Sequence, residues 1–352
     1  MFESNIKEVK DRLKAWWDFE DIGRPCLQIR VLNDSGLIPD TGDLKEFWTD
    51  EEFIIKREMA LIDQSTWIGE AIPYHYVNFG SVPLGGCLGG ELEFVDKETT
   101  WNKPFKKSIE EILDLDVASD NFWWKLISNV TSKSAKTAHN HHYVSYVALS
   151  GITDVVSMIL GMEELLYEFI DNPAGVRKAI NHLIPIWKRL FNQLGDIIGE
   201  SRNDGSIGWA GVWAPGTTFP LQEDLSYMLS PEMFNEFCLP AIENLVDFLD
   251  YPFYHLDGKG AIKFVDTLTS IKKLKVIQWI PGAGCEELNQ WHDLIKYILG
   301  KGKAMQVFAK DEEVEPLVKA VGTRGLLITV ECDSVEKALR LMEKYQKPDK
   351  IC

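Results

Sequence analysis

The sequence predicts an α/β protein, a (β/α)8 TIM barrel formed as a single domain over residues 1–352, and three observations predict it. Four short runs in the second half, FYHLDG at 253–258, KVIQWI at 275–280, KAMQVF at 303–308 and GLLITVE at 325–331, are apolar on both faces, the mark of parallel strands covered on two sides. Helical or turn segments separate them, so successive strands join by right-handed crossovers. The dinucleotide spacing GxGxxG is absent, which favours a closed barrel over an open doubly wound sheet.

The elements follow in order. Ile6, Val9, Leu13 and Trp16 or Trp17 recur at helical spacing over 5–17, and CLQIRV at 26–31 reads as a strand after Arg24-Pro25. Residues 50–70 read as helical. The Pro/Gly/aromatic stretch 73–90 reads as a long ordered loop whose GGCLGG turn lacks the phosphate-loop ending. ELEFV is extended, 107–137 mostly helical, YVSYVALS at 143–150 a strand, and the following forty residues are helices broken near Gly161 and Pro173. SIGWAGVWA at 206–214 is extended. Ser230-Pro231 opens a helix with an N-cap and a proline at the first helical position, and Pro240 predicts a kink in it. The helical and loop segment 1–100 is expected to pack on the barrel or cover it.

Composition narrows function. Apolar residues make up 45% and charged residues 26%, as in ordinary globular proteins. The net charge of −17 opposes nucleic acid and anionic membrane, and no Lys/Arg cluster interleaves with aromatics. The six cysteines form no CxxC pair, and no signal-peptide or membrane-spanning run is visible, so the expected compartment is cytoplasmic. A small-molecule substrate is the expected partner, and a homodimer is admitted.

Polar residues repeatedly end apolar strands, which suits a pocket at a barrel mouth. They are Trp209 and Trp213, Gln222 and Asp224, His255 and Asp257, Gln278 and Trp279, and Glu331 and Cys332. His255 and Asp257, two residues apart in an extended strand, share one face. His255 could ligate Zn²⁺ together with Cys332 and a carboxylate from Asp257 or Glu331, leaving an open position. Equally, His255 could be a buried imidazole bonded to Asp257, and Cys332 a small core residue. Asp224 either meets a cationic or proton-donating substrate group or caps a turn. Gln278 could orient a ligand without burying charge. Trp209, Trp213 and Trp279 could box a methylated cation. Tyr74, His75, Tyr76 and Asn78 lie in a loop able to cover the mouth, with His75 equally a surface residue. His139, His141 and His142 read as a solvated turn before a strand.

At YHLDGKG, with GITD, LQEDLSYMLSPEMFNEFCLP and VIQWIPGAG, the sequence resembles the uroporphyrinogen decarboxylase-like superfamily, and the order of these segments is closer to its corrinoid-dependent methyltransferase branch. The resemblance covers most of the chain. It implies a (β/α)8 barrel with its pocket at the C-terminal ends of the strands, and zinc held by the histidine and cysteine of an H-x-C strand end with a later cysteine. Here His255 matches the histidine, Asp257 stands where the first cysteine belongs, and Cys332 matches the later one. A carboxylate in place of a thiolate makes the set harder and less zinc-selective.

The function so implied is transfer of a methyl group between a small methylated substrate, an amine or ether, and a corrinoid (cobalamin-type) group carried by a separate protein. Asp224, His255 and Asp257 would be its catalytic residues, His255, Asp257, Glu331 and Cys332 its metal ligands, and Tyr76, Asn78, Trp209, Trp213, Gln222, Gln278 and Trp279 its substrate contacts. The alternatives are a uroporphyrinogen-type decarboxylase, for which the arginine-rich N-terminal segment is missing, and a non-catalytic barrel that binds a small molecule or a corrinoid protein.

Overall fold

A computed structural model describes residues 6–33, 38–80, 83–138, 141–199, 204–285 and 287–346. It is a mixed α/β structure around a seven-stranded, mainly parallel sheet. The strand order is Ser65–Gly69, Cys26–Leu32, Leu326–Glu331, Ala304–Lys310, Val276–Ile280, Tyr251–Asp257 and Thr218–Leu221. Every pairing is parallel except that of Ser65–Gly69 with Cys26–Leu32. That edge strand was not expected. The helix read over 50–70 ends at Asp63, and STWIG, with a β-branched and an aromatic residue, extends along the sheet instead.

The other half of the chain makes shorter ladders. Tyr74–His75 pairs in parallel with Tyr143–Val144, Ser145 bridges Ile207, and Ser206–Ile207 pairs with Trp213–Ala214. The runs 143–150 and 206–214 therefore ladder only in two-residue pieces, Tyr143–Val144 in the first and Ser206–Ile207 with Trp213–Ala214 in the second. Among the described residues no helix is long and apolar enough to cross a membrane.

Two local predictions meet their physical test at the 230s helix. Ser230 Oγ accepts from Met233 N at 3.2 Å, as its N-cap position requires. Pro240, lacking an N–H, follows a wide π turn over Phe234–Cys238, one of the irregularities by which a helix yields at proline.

Strand alternation sorts the side chains of five neighbouring strands into layers on one face. Cys26, Phe253, Val276, Ala304 and Leu327, near the strand starts, form an apolar base. On it pack Val9, Leu13, Trp16 and Trp17 of the first helix, Ile6–Trp17. Trp16 and Trp17 also donate their indole N–H groups to the carbonyls of Gly325 and Trp213, both at 2.9 Å. Two residues along each strand come Gln28, His255, Gln278, Gln306 and Thr329. Two further on, Arg30, Asp257, Ile280, Phe308 and Glu331 reach the ends where strands run into loops. The intervening residues, Leu27, Ile29, Tyr254, Leu256, Ile277, Trp279, Met305, Val307, Ile328 and Val330, pack against the helices in the main core.

Candidate functional site

The second layer is a hydrogen-bonded belt across five strands. Gln28 donates to the carbonyl of Gly211 at 3.2 Å, and its own amide oxygen accepts from the Thr329 hydroxyl at 3.3 Å. Gln306 donates to Thr329 Oγ1 at 3.0 Å and to the carbonyl of Ala210 at 3.3 Å. Gln278 donates to Gln306 Oε1 at 2.7 Å, which leaves Gln278 Oε1 to accept from Nδ1 of His255. Backbone carbonyls can only accept, so Ala210 and Gly211 orient the Gln306 and Gln28 amides. That orientation propagates to the imidazole. His255 is thereby held with its proton on Nδ1 and a lone pair on Nε2. Burial lowers its pKa, against the opposing pull of Gln278 and Asp257, so the ring stays neutral.

Beside this ring stand two carboxylates. Asp224, His255 and Asp257 each offer a ligand-type atom within 4.8 Å of the others. Asp257 shares the His255 face because the strand runs unbroken over Tyr251–Asp257. Asp224 arrives from another segment, held by an interlock of two helix starts. Glu223 accepts from the N–H groups of Ile152 (3.1 Å) and Thr153 (3.0 Å) and from the Thr153 hydroxyl. Asp154 accepts from Asp224 N at 2.9 Å and Leu225 N at 2.8 Å. A Cβ on Gly151 would lie 2.0 Å from the carbonyl oxygen of Gln222, so only glycine admits this approach.

Carboxyls surrounded by so little water ionise less readily than in solution. Burial, and then repulsion by Asp224, pushes Asp154 up to about 7, although the N–H groups it caps pull the other way. Burial and Asp154 drive Glu223 well above the carboxylate range. Asp224 keeps solvent access at the mouth, yet the protein around it and the neighbouring Asp257 push it up to about 6. The 2.7 Å bond from Gln222 Nε2 offsets part of that rise.

His255 opens on a cavity of about 340 Å³ walled by Trp67, Tyr74, Tyr76, Trp209, Ile280 and Phe308, with Gln28, Arg30, Gln278 and Thr329 supplying polar groups. That is the small end of the range for ligand sites, roughly 300–1,000 Å³. Trp209 meets the His255 ring edge to face at 5.0 Å and is fixed by its N–H bond to the Pro220 carbonyl at 3.0 Å.

The predicted residues divide on this geometry. Tyr76, Trp209, His255 and Gln278 line the cavity, and Gln222, Asp224 and Asp257 stand beside it. Trp279 faces the opposite side of its strand, 5.1 Å from Trp291, because neighbours in a strand cannot share a face with Gln278. Trp213 lies in the apolar base, and Asn78 accepts from Gly80 N in its own turn. The proposed metal set does not assemble as one cluster. Glu331 and Cys332 line a separate surface depression with Asp311 and Asp333, and the Cys332 thiol donates to the Ser334 carbonyl at 3.5 Å. Thr329 points into the cavity, but its strand ends at Glu331, and Cys332 lies beyond it on the way to the next helix.

His75 is fully buried rather than at the surface, and its pKa falls to about 3 through burial and then His142. It ends a chain running from Asp63 through His141, His142 and Ser134. His139 lies outside the described residues, as does Cys352. Unforeseen participants are Gln28, Arg30, Trp67, Gln306, Phe308, Thr329, Asp154 and Glu223. The belt had a signal in the sequence, since three of these strands carry polar residues two apart among apolar ones, Gln28 with Arg30, His255 with Asp257 and Thr329 with Glu331.

No protein-family model matches the sequence, and no curated protein does. The fold has a solved counterpart. It is similar to the structure of a methyltransferase from Methanosarcina mazei, with a TM-score of 0.61 over 96% of this chain and 98% of the other at 13% identity. At that identity the likeness speaks for the fold, and the chemistry rests on the residues above.

Proposed function

We propose that the chain is a corrinoid-dependent methyltransferase of the uroporphyrinogen decarboxylase-like type, a closed (β/α)8 barrel whose mouth is the cavity at His255. It takes a methyl group from a small methylated amine or ether and delivers it to a corrinoid on a separate protein. One observation carries the reading: an oriented neutral imidazole and two carboxylates meet at the rim of a small, aromatic-walled cavity. The likeness to a methyltransferase structure supports it.

The chemistry is a displacement at carbon. The methyl leaves without the bonding pair, which stays on the nitrogen or oxygen, and passes to a two-electron nucleophile presented at the mouth. The chain contributes position and charge. The faces of Trp209, Tyr74 and Tyr76 hold an alkylammonium or methoxy group. Asp224, whose carboxyl is raised to about 6, can hand a proton to an ether oxygen that loses its methyl or keep its charge opposite an ammonium. The belt keeps His255 Nε2 unprotonated.

Asp224, His255 and Asp257 also fit a divalent ion. Their separations, up to 4.8 Å, need little adjustment to reach the roughly 3.3–3.6 Å between ligands on tetrahedral zinc. Gln278 on Nδ1 is the outer partner such a ligand needs. An ion there supplies a Lewis acid for the departing heteroatom. The decarboxylase alternative suits this cavity less, since one arginine in its wall cannot neutralise a polycarboxylate.

The test is turnover with a corrinoid protein. Methylated amines and ethers are expected to quench Trp209 fluorescence saturably and to convert the reduced corrinoid partner to its methylated spectrum. If none of them changes fluorescence and none methylates any corrinoid protein, the reading is overturned.

A further inference from the structure

The cavity carries a charge that methyl transfer does not need. Arg30 lines it, two residues beyond Gln28, with its guanidinium stacked 5.0 Å over the Trp67 ring. Nε donates to Ser65 Oγ at 2.8 Å and one terminal nitrogen to the Leu61 carbonyl at 3.1 Å, so the fork is oriented before any ligand arrives. In a chain of net charge −17, Arg12, Arg24, Arg57, Arg177, Arg189 and Arg340 each pair with a carboxylate. Among the described residues Arg30 pairs with none. Glu58, whose carboxyl feels the charge of Arg30, is bound by Arg57 at 3.0 Å. Arg324 also lacks a carboxylate, but it does not line the cavity.

The opposite end of the same cavity is basic in lone pairs and acidic in charge, at His255 with Asp257 and Asp224. The strand order puts Cys26–Leu32 four strands from Tyr251–Asp257, yet Arg30 and His255 line the same cavity of about 340 Å³ from these two strands. One small ion cannot satisfy both ends. A molecule with an ammonium at one end and an anion at the other satisfies both, the first on the Trp209 face beside the carboxylates and the second on the free edge of the Arg30 fork.

We infer that the methyl donor is a zwitterion, an N-methylated amino acid or betaine whose carboxylate is read by Arg30. This rests on the reading of the cavity as the donor site and goes beyond it by fixing the donor's class and a specificity residue. With a divalent ion on the two carboxylates that centre is formally neutral, and the aromatic faces alone hold the ammonium.

Calorimetric titration of the purified full chain with three probes tests it: trimethylglycine, choline, which lacks the carboxylate, and 3,3-dimethylbutanoate, which lacks the cation. Trimethylglycine is expected to bind about tenfold or more tighter than either. Arg30→Met, which keeps the apolar stem over Trp67, should erase its advantage over choline while leaving choline within about twofold, and Arg30→Lys should restore part of it. Equal affinities for trimethylglycine and choline, an equal loss of both in Arg30→Met, or no binding of any probe overturns the inference. Methyl transfer from simple amines without a zwitterion preference would sink the inference and leave the methyltransferase reading standing. A clear zwitterion preference with no methyl transfer would overturn the methyltransferase reading, and with it the donor role, and leave Arg30 as the carboxylate reader of a zwitterion-binding cavity.

Discussion

Two strand ends in this molecule carry nearly the same chemistry and reach different outcomes. At one, His255 and Asp257 are two residues apart and turn together toward the cavity, where Asp224 joins them. At the other, Glu331 and Cys332 are adjacent. Cys332 lies one residue past the end of the strand that carries the cavity-facing Thr329, in a separate depression beside Asp311 and Asp333. Residue type alone would make both ends metal sites. Strand length and spacing separate them: Tyr251–Asp257 carries both members of its pair an even step apart on one face, whereas Leu326–Glu331 stops between its two.

The comparison breaks most sharply through substitution at each end. His255→Ala is expected to lower kcat/KM for methyl transfer by about 10²–10⁴-fold, whereas Cys332→Ser should stay within about twofold, as for a residue outside the reaction. Comparable losses from the two would place the reacting centre between the strand ends. The belt gives the next effect. Gln306→Leu removes the donor to Ala210 and the acceptor for Gln278, freeing the Gln278 amide to turn over. Turnover should fall about 10–100-fold, and imidazole ¹⁵N shifts should show His255 losing its single Nδ1–H tautomer. An unchanged tautomer would mean that the belt does not orient the ring.

Gly151→Ala sharpens how Asp224 is delivered. A methyl group 2.0 Å from the Gln222 carbonyl must displace the 222–225 turn, at a cost of about 1–3 kcal/mol in unfolding free energy. No equivalent interlock supports Cys332, so Cys332→Ser should cost much less by denaturant titration.

The smallest effect is a pH dependence. Asp224 titrates at about 6 in the folded protein against an ordinary value near 3.8, through burial and then Asp257. The folded state therefore binds the extra proton, and this contribution to stability is complete below about pH 4 and lost as pH rises through about 6. His75 and His255, with lowered values, act in the opposite sense, so the comparison must be between variants. In chelator-treated protein, Asp224→Asn should gain stability relative to the parent as pH rises from 4 to 6.5, with no further gain above. A difference independent of pH would remove the proposed repulsion between Asp224 and Asp257.

Much of this was legible in the sequence, and the limits have physical causes. The four late strands, the first helix and the Ser230 cap follow from local pattern, because period and capping are local properties. His255 with Asp257 was legible for the same reason. Trp279 was credited to the pocket beside Gln278, although the alternation that joins 255 to 257 separates 278 from 279, and Cys332 to the metal beside His255, although its strand stops at Glu331. The belt needed the same alternation applied to five strands at once and then their registers, which no single stretch contains. Asp154 and Glu223 were beyond reach of pattern, since their reciprocal caps join segments 70 residues apart. The strand at Ser65–Gly69 was absorbed into a helix because five residues on an antiparallel edge carry a weak signal.

The most direct measurement is titration of the metal-free protein with Co²⁺, followed by absorption spectroscopy. One equivalent should bind with no thiolate-to-cobalt charge-transfer band, be lost in His255→Ala and in Asp257→Ala, and be retained in Cys332→Ser. A thiolate band, loss of binding in Cys332→Ser, or no bound ion at all would contradict a centre built from Asp224, His255 and Asp257.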